Sequence, residues 1–106
     1  YCRSLRDGRS ETIMVGVVRI ELLVAHSQNL KEKRAVVKSI LRLVRNKFNV
    51  SAAETAYLEQ WQRAELGFAA VANEMAFLQK ELNAVVRFVE STPGVELIAA
   101  DTEYYD

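Results

Sequence analysis

NLKEKRAVVKSILRLVRNKF, residues 29–48, decides the fold. At 100° per residue, Val37, Ile40, Val44 and Phe48 share one helical face, which Val36 and Leu41 widen. Lys31, Arg34, Lys38, Arg42 and Arg45 follow spacings of three, four, four and three, and stack into a stripe on the opposite side. One face therefore builds a core and the other is a basic ridge. Asn29 with Glu32 three residues on is a capping-box pattern: the Asn side chain takes an orphan N–H and the Glu reaches back to the cap. Lys31, Lys33 and Arg34 lie in or near the first turn, where the helix dipole disfavours an exposed cation by about 0.3–1 kcal/mol. Local stability does not call for those charges. Free N–H groups and three cations in one place suit a phosphate or another anion, so Lys31, Lys33, Arg34, Lys38, Arg42 and Arg45 are the candidate nucleic-acid-binding residues.

Before this helix, MVGVVRIELLVA at 14–25 alternates as a strand, with Gly16, Val18, Ile20, Leu22 and Val24 on the core side and Val15, Val17, Arg19, Glu21 and Leu23 on a wetter side. His26, Ser27 and Gln28 form the loop into the helix. After it, residues 49–57 read as a second strand with Val50 and Ala52 inward, and 61–72 as a third with Leu66, Phe68 and Ala70 inward, the two forming an antiparallel hairpin. Asn73 is the expected cap of a second helix over 74–90, in which Leu78, Leu82, Val85, Val86 and Val89 recur on one face before Ser91, Thr92, Pro93 and Gly94 end it. Residues 95–102 form a last strand, and an acidic EYYD end follows. The order βαββαβ with right-handed crossovers gives an α+β, ferredoxin-like sandwich: a four-stranded antiparallel sheet with both helices on one face. Residues 14–106 form this single domain and residues 1–13 a flexible extension. The bare sheet face carries Arg19, Glu21, Ser51, Ala53, Thr55, Arg63 and Glu65.

Composition narrows the function by exclusion. Lys plus Arg and Asp plus Glu both number 14 in 106 residues, so a generic polycation is ruled out. The charge is divided along the chain: residues 31–47 hold seven cations against Glu32 alone, and 90–106 hold five carboxylates and no cation. Cys2 is the one cysteine, which excludes an internal disulfide and a cysteine metal cage and suits a reducing cytoplasm. No apolar run approaches the ~20 residues of a membrane span, and the N-terminus lacks a signal-peptide core. His26 has no acidic neighbour in sequence and no serine sits in GxSxG, so no catalytic residue, metal or cofactor is expected. ELGFAAV at 65–71 faintly matches the aromatic strand of RRM domains, but Leu66 and Ala70 replace the needed residues and Phe68 points inward. Trp61 is expected to pack on the core at the hairpin end, or else to add a stacking contact.

The blocks at 14–54 and 61–73, above all NLKEKR at 29–34 and FNVS at 48–51, resemble the YlxP-like family of small bacterial proteins of unknown function. The likeness covers 14–102. This chain has Asn29 where the family pattern has Ser, both good N-caps, and only Glu59 where the family carries an Asp-containing loop before Trp61. The resemblance implies a ferredoxin-like fold and a cytoplasmic protein. It also implies a link to translation, because such genes are often found near those for initiation and ribosome-maturation factors. The expected function is a non-enzymatic protein docking ribosomal or other structured RNA through the basic helix. The alternative is a homo-oligomeric module holding a small regulatory ligand, with Arg19, Glu21, Arg63 and Glu65 at a sheet-face interface.

Overall fold

The computed structural model describes residues 13–105. The elements follow in the order β1 (Met14–Leu23), α1 (Leu30–Lys47), β2 (Ser51–Ala56), β3 (Arg63–Ala72), α2 (Met75–Glu90) and β4 (Glu96–Tyr105). The strands form one antiparallel sheet, β2-β3-β1-β4, with both helices against one face: the ferredoxin-like arrangement. The expected extension at 1–13 lies, apart from Ile13, outside the described residues.

Alternation in β1 and β3 selects the core. Val18, Ile20 and Leu22 face Leu66 and Phe68 across the strands, and Val37, Ile40 and Val44 of α1 and Leu78, Leu82, Val85 and Val89 of α2 close over them. Each fully buried aliphatic side chain contributes about 1.5–3 kcal/mol. The apolar face of α1 therefore outweighs the cations at its N-terminus. Gly16 lets α2 approach β1: a Cβ there would stand 2.5 Å from Leu82 Cδ1 and 3.2 Å from Leu78 Cγ.

Asn29 caps α1, its Oδ1 accepting from the Glu32 N–H at 2.9 Å. Glu32 reaches back one residue further than a simple capping box, taking the Gln28 N–H at 2.7 Å. The cap of α2 is Glu74 rather than Asn73, and it makes no side-chain bond. β2 begins at Ser51, and β4 runs on to Tyr105 because β1 offers pairing partners along its whole length: Glu103, Tyr104 and Tyr105 pair with Val17, Gly16 and Val15. The EYY stretch expected as a tail is thus strand. Bulges interrupt β1–β4 beside Glu21 and β2–β3 beside Thr55.

One expected ridge residue stands elsewhere. Lys33 lies four residues before Val37 and seven before Ile40, in register with the buried face, and is fully buried. Its Nζ lies 2.6 Å from Glu54 Oε2 and donates to the Tyr57 carbonyl at 3.0 Å. Glu54 alternates with Ala52 and Ala56 on the helix side of β2, with 12% of its side chain exposed. Tyr57 adopts φ 61°, a left-handed conformation that costs a non-glycine residue about 1–2 kcal/mol. The Lys33 bond to its carbonyl helps to hold it there.

Two outcomes follow in urea unfolding. Lys33→Ala strands a buried carboxylate and lowers stability by about 3–5 kcal/mol, whereas Lys33→Met with Glu54→Leu recovers most of it. Gly16→Val crowds Leu78 and Leu82 and costs about 1–3 kcal/mol, lowering the midpoint with little change in slope.

Candidate nucleic-acid interface

The basic ridge is built by α1 and lies on its β2 flank rather than squarely opposite the core. Lys31, Arg34, Lys38, Arg42 and Arg45 are all exposed. Arg45 Nη2 donates to the Ala52 carbonyl at 2.6 Å, so the ridge runs along the outer strand β2. Arg34 Nη2 lies 3.4 Å from Glu59 Oε2; this exposed pair contributes at most about 1 kcal/mol. Among the described residues, Lys31, Lys38 and Arg42 have no ion-pair partner. Lys33 is not part of this surface, because its ammonium is spent inside on Glu54 and Tyr57. On the other flank Lys47 Nζ sits 5.0 Å from the Phe88 ring centroid and 5.9 Å from that of Phe48, a cation–π contact at the helix–helix seam.

The N-terminal end of the ridge abuts the 57–62 connection between β2 and β3. This loop is fastened from several sides. The Tyr57 carbonyl accepts from Gln60 N–H at 3.1 Å as well as from Lys33, and the Val24 N–H donates to the Gln62 carbonyl at 2.7 Å. Gln62 Nε2 donates to the carbonyls of Ala25 and Ser27 at 3.2 and 3.1 Å, tying the loop to the turn that leads into α1. Trp61, expected to pack on the core, is instead 54% exposed: those bonds fix the main chain on either side and leave the indole outside. An open groove of about 510 Å³ lies beside it, lined by Leu23, Glu59, Gln60, Trp61, Gln62 and Arg63. His26 is exposed in the neighbouring turn.

The bare sheet face pairs part of its charge within the chain. Arg63 pairs with Glu21 on the adjacent strand, and its guanidinium lies 4.4 Å from the Tyr57 ring centroid. The hydrogen bond to Glu21 raises the Arg63 pKa above its ordinary value, opposed by desolvation and aided by the negative charge of Glu21. Thr55 Oγ1 donates to Glu65 Oε1 at 2.7 Å, and Arg19 stands in register with Asp101. Arg19, Glu21, Arg63 and Glu65 thus share one face, but three of them are already engaged within the chain. Phe68 is buried in the core, as its alternation implies. Among the described residues no group of three His, Cys, Asp or Glu side chains could hold a metal, and no helix is long and apolar enough to cross a membrane.

The sequence reading misplaces Lys33 and misses Glu54 and Gln62. Lys33 sits at core spacing on the helix and Glu54 at inward spacing on the strand, and each was a signal for the buried pair. Gln62 carries no such signal, because its partners are main-chain carbonyls brought near only by the fold.

Comparison with known proteins agrees with this architecture. The chain is 42% identical over 92 residues to "Uncharacterized protein YlxP" of Bacillus subtilis (strain 168), which covers 87% of this chain and 100% of the relative. A solved structure, "De novo designed protein Foldit4", superimposes with a TM-score of 0.51 over 90% of this chain and 98% of its own, at 13% identity, and so shares the fold alone. The model of the family described as "Protein of unknown function (DUF503)" matches residues 15–102, and the chain belongs to that family.

Proposed function

We propose that the protein acts by binding rather than catalysis, docking the exposed flank of α1 on ribosomal or other structured RNA in the cytoplasm. The observation that carries this reading is the row Lys31, Arg34, Lys38, Arg42 and Arg45 on one helix, three of whose members have no carboxylate partner among the described residues. At 1.5 Å per residue the row extends about 21 Å, enough to follow several phosphates. Phosphate contacts of this kind give attachment that depends on salt and little on sequence. The link to translation that the resemblance implies favours RNA over DNA.

A second reading has its own support. Val71 and Tyr105, 63% and 54% exposed, flank Val15 in one row across the bare sheet face, an apolar strip that a second copy would cover. Arg63→Glu or Glu65→Arg would weaken such a dimer. A monomer at all concentrations in sedimentation equilibrium removes this reading.

For the RNA reading, co-sedimentation with ribosomal subunits is measured across a salt series. About four phosphate contacts predict a loss of roughly 50–150-fold between 50 and 200 mM salt. Lys38→Glu with Arg42→Glu, both exposed and without ion-pair partners among the described residues, should keep the parent's unfolding midpoint and bind at least tenfold more weakly, flattening the salt slope. The reading fails if this variant binds as tightly as the parent.

A further inference from the structure

Resting on the RNA reading, we infer that Trp61 is a stacking platform for an unpaired base, so that the partner is RNA with a loop or bulge beside a paired stem. Three observations converge on it. A large aromatic ring stands 54% exposed on a loop whose main chain is fastened by Gln62, Gln60 and the buried Lys33, so the ring projects from a set point of the backbone. An open groove of about 510 Å³ adjoins it, with an apolar wall at Leu23 and a polar rim at Glu59, Gln60 and Arg63, room for a planar ring whose edges carry donors and acceptors. The ridge reaches the same loop, because Arg34 contacts Glu59, two residues from the indole.

The cations and the indole read different parts of a nucleic acid. Lys31, Arg34 and Lys38 meet phosphates, which every RNA offers. An indole needs the face of a base, which a continuous duplex keeps inside its stack. The ridge alone therefore treats paired and unpaired RNA alike, and Trp61 adds the distinction. Stacking on an aromatic side chain tolerates any base, so the preference is for unpaired structure rather than for a sequence.

Trp61 is the one tryptophan of the chain, so its emission reports the contact directly. The intact protein is titrated with two RNAs of equal nucleotide number and charge, a continuous duplex and a shorter stem carrying an unpaired loop. The expected result is quenching by the looped RNA only, with affinity at least about fivefold above the duplex, as one stacked base implies. Trp61→Ala, exposed and so folded with the parent's melting midpoint, should bind the two RNAs equally, and Trp61→Phe should keep part of the preference. Lys38→Glu with Arg42→Glu should lose both RNAs together. Equal, salt-sensitive binding of both RNAs with unchanged emission overturns the stacking role and leaves the ridge reading standing. Failure of both RNAs to bind at low salt overturns both. An emission shift that tracks protein concentration without RNA assigns the indole to a second copy and overturns it as well.

Discussion

One ammonium group fastens three parts of the molecule. Lys33 leaves α1, meets Glu54 on β2 and takes the carbonyl of Tyr57 as the chain turns into the loop. Burying two charges is costly, and a well-packed apolar pair of similar volume is often as stable. The pair is therefore better understood through its geometry. An apolar contact tolerates sliding of a helix along a strand, whereas two short polar bonds to a buried amine do not. They set the position of α1 on the edge of the sheet and help hold Tyr57 left-handed, and the loop that carries Glu59 and Trp61 follows from that.

The charges outside this clamp divide into those the chain uses and those it leaves. On the bare sheet face Arg63 pairs with Glu21 and Thr55 donates to Glu65, and Arg45 caps a carbonyl of the outer strand β2. That last bond also blunts an edge that would otherwise invite another strand. Lys31, Lys38 and Arg42 have no such employment among the described residues, and three such cations on one helix, against Arg19 alone on the sheet face, make the ridge the surface to interpret.

Much of the fold was legible because it rests on periodicity. Period two in β1 and β3, and the recurrence of apolar residues in both helices, mark faces that only one packing of layers can bury. The capping of α1 was legible for the same local reason. The extent of β4 was not, because Glu103 to Tyr105 is acidic and aromatic in sequence and becomes strand only through the partner that β1 supplies. Within the site, the exposed cations were visible as a helical stripe. Lys33 was counted among them by its charge although its position belonged to the core face. The exposure of Trp61 depends on bonds between two loops far apart in sequence, such as Gln62 to Ala25, and no local pattern announces them.

The two edges of the sheet differ in sign. β2 is shadowed by the cations of α1, while β4 carries Glu96, Asp101 and Glu103 and no cation. Among the described residues the charges thus form a transverse dipole across the strands of a chain with no net charge. In the field of a polyanion such a molecule feels little net pull but a definite torque, which turns the α1 edge inward and the β4 edge outward before contact. Neutrality then limits indiscriminate adhesion while orientation is kept, and raising the salt weakens the torque along with the contacts it prepares.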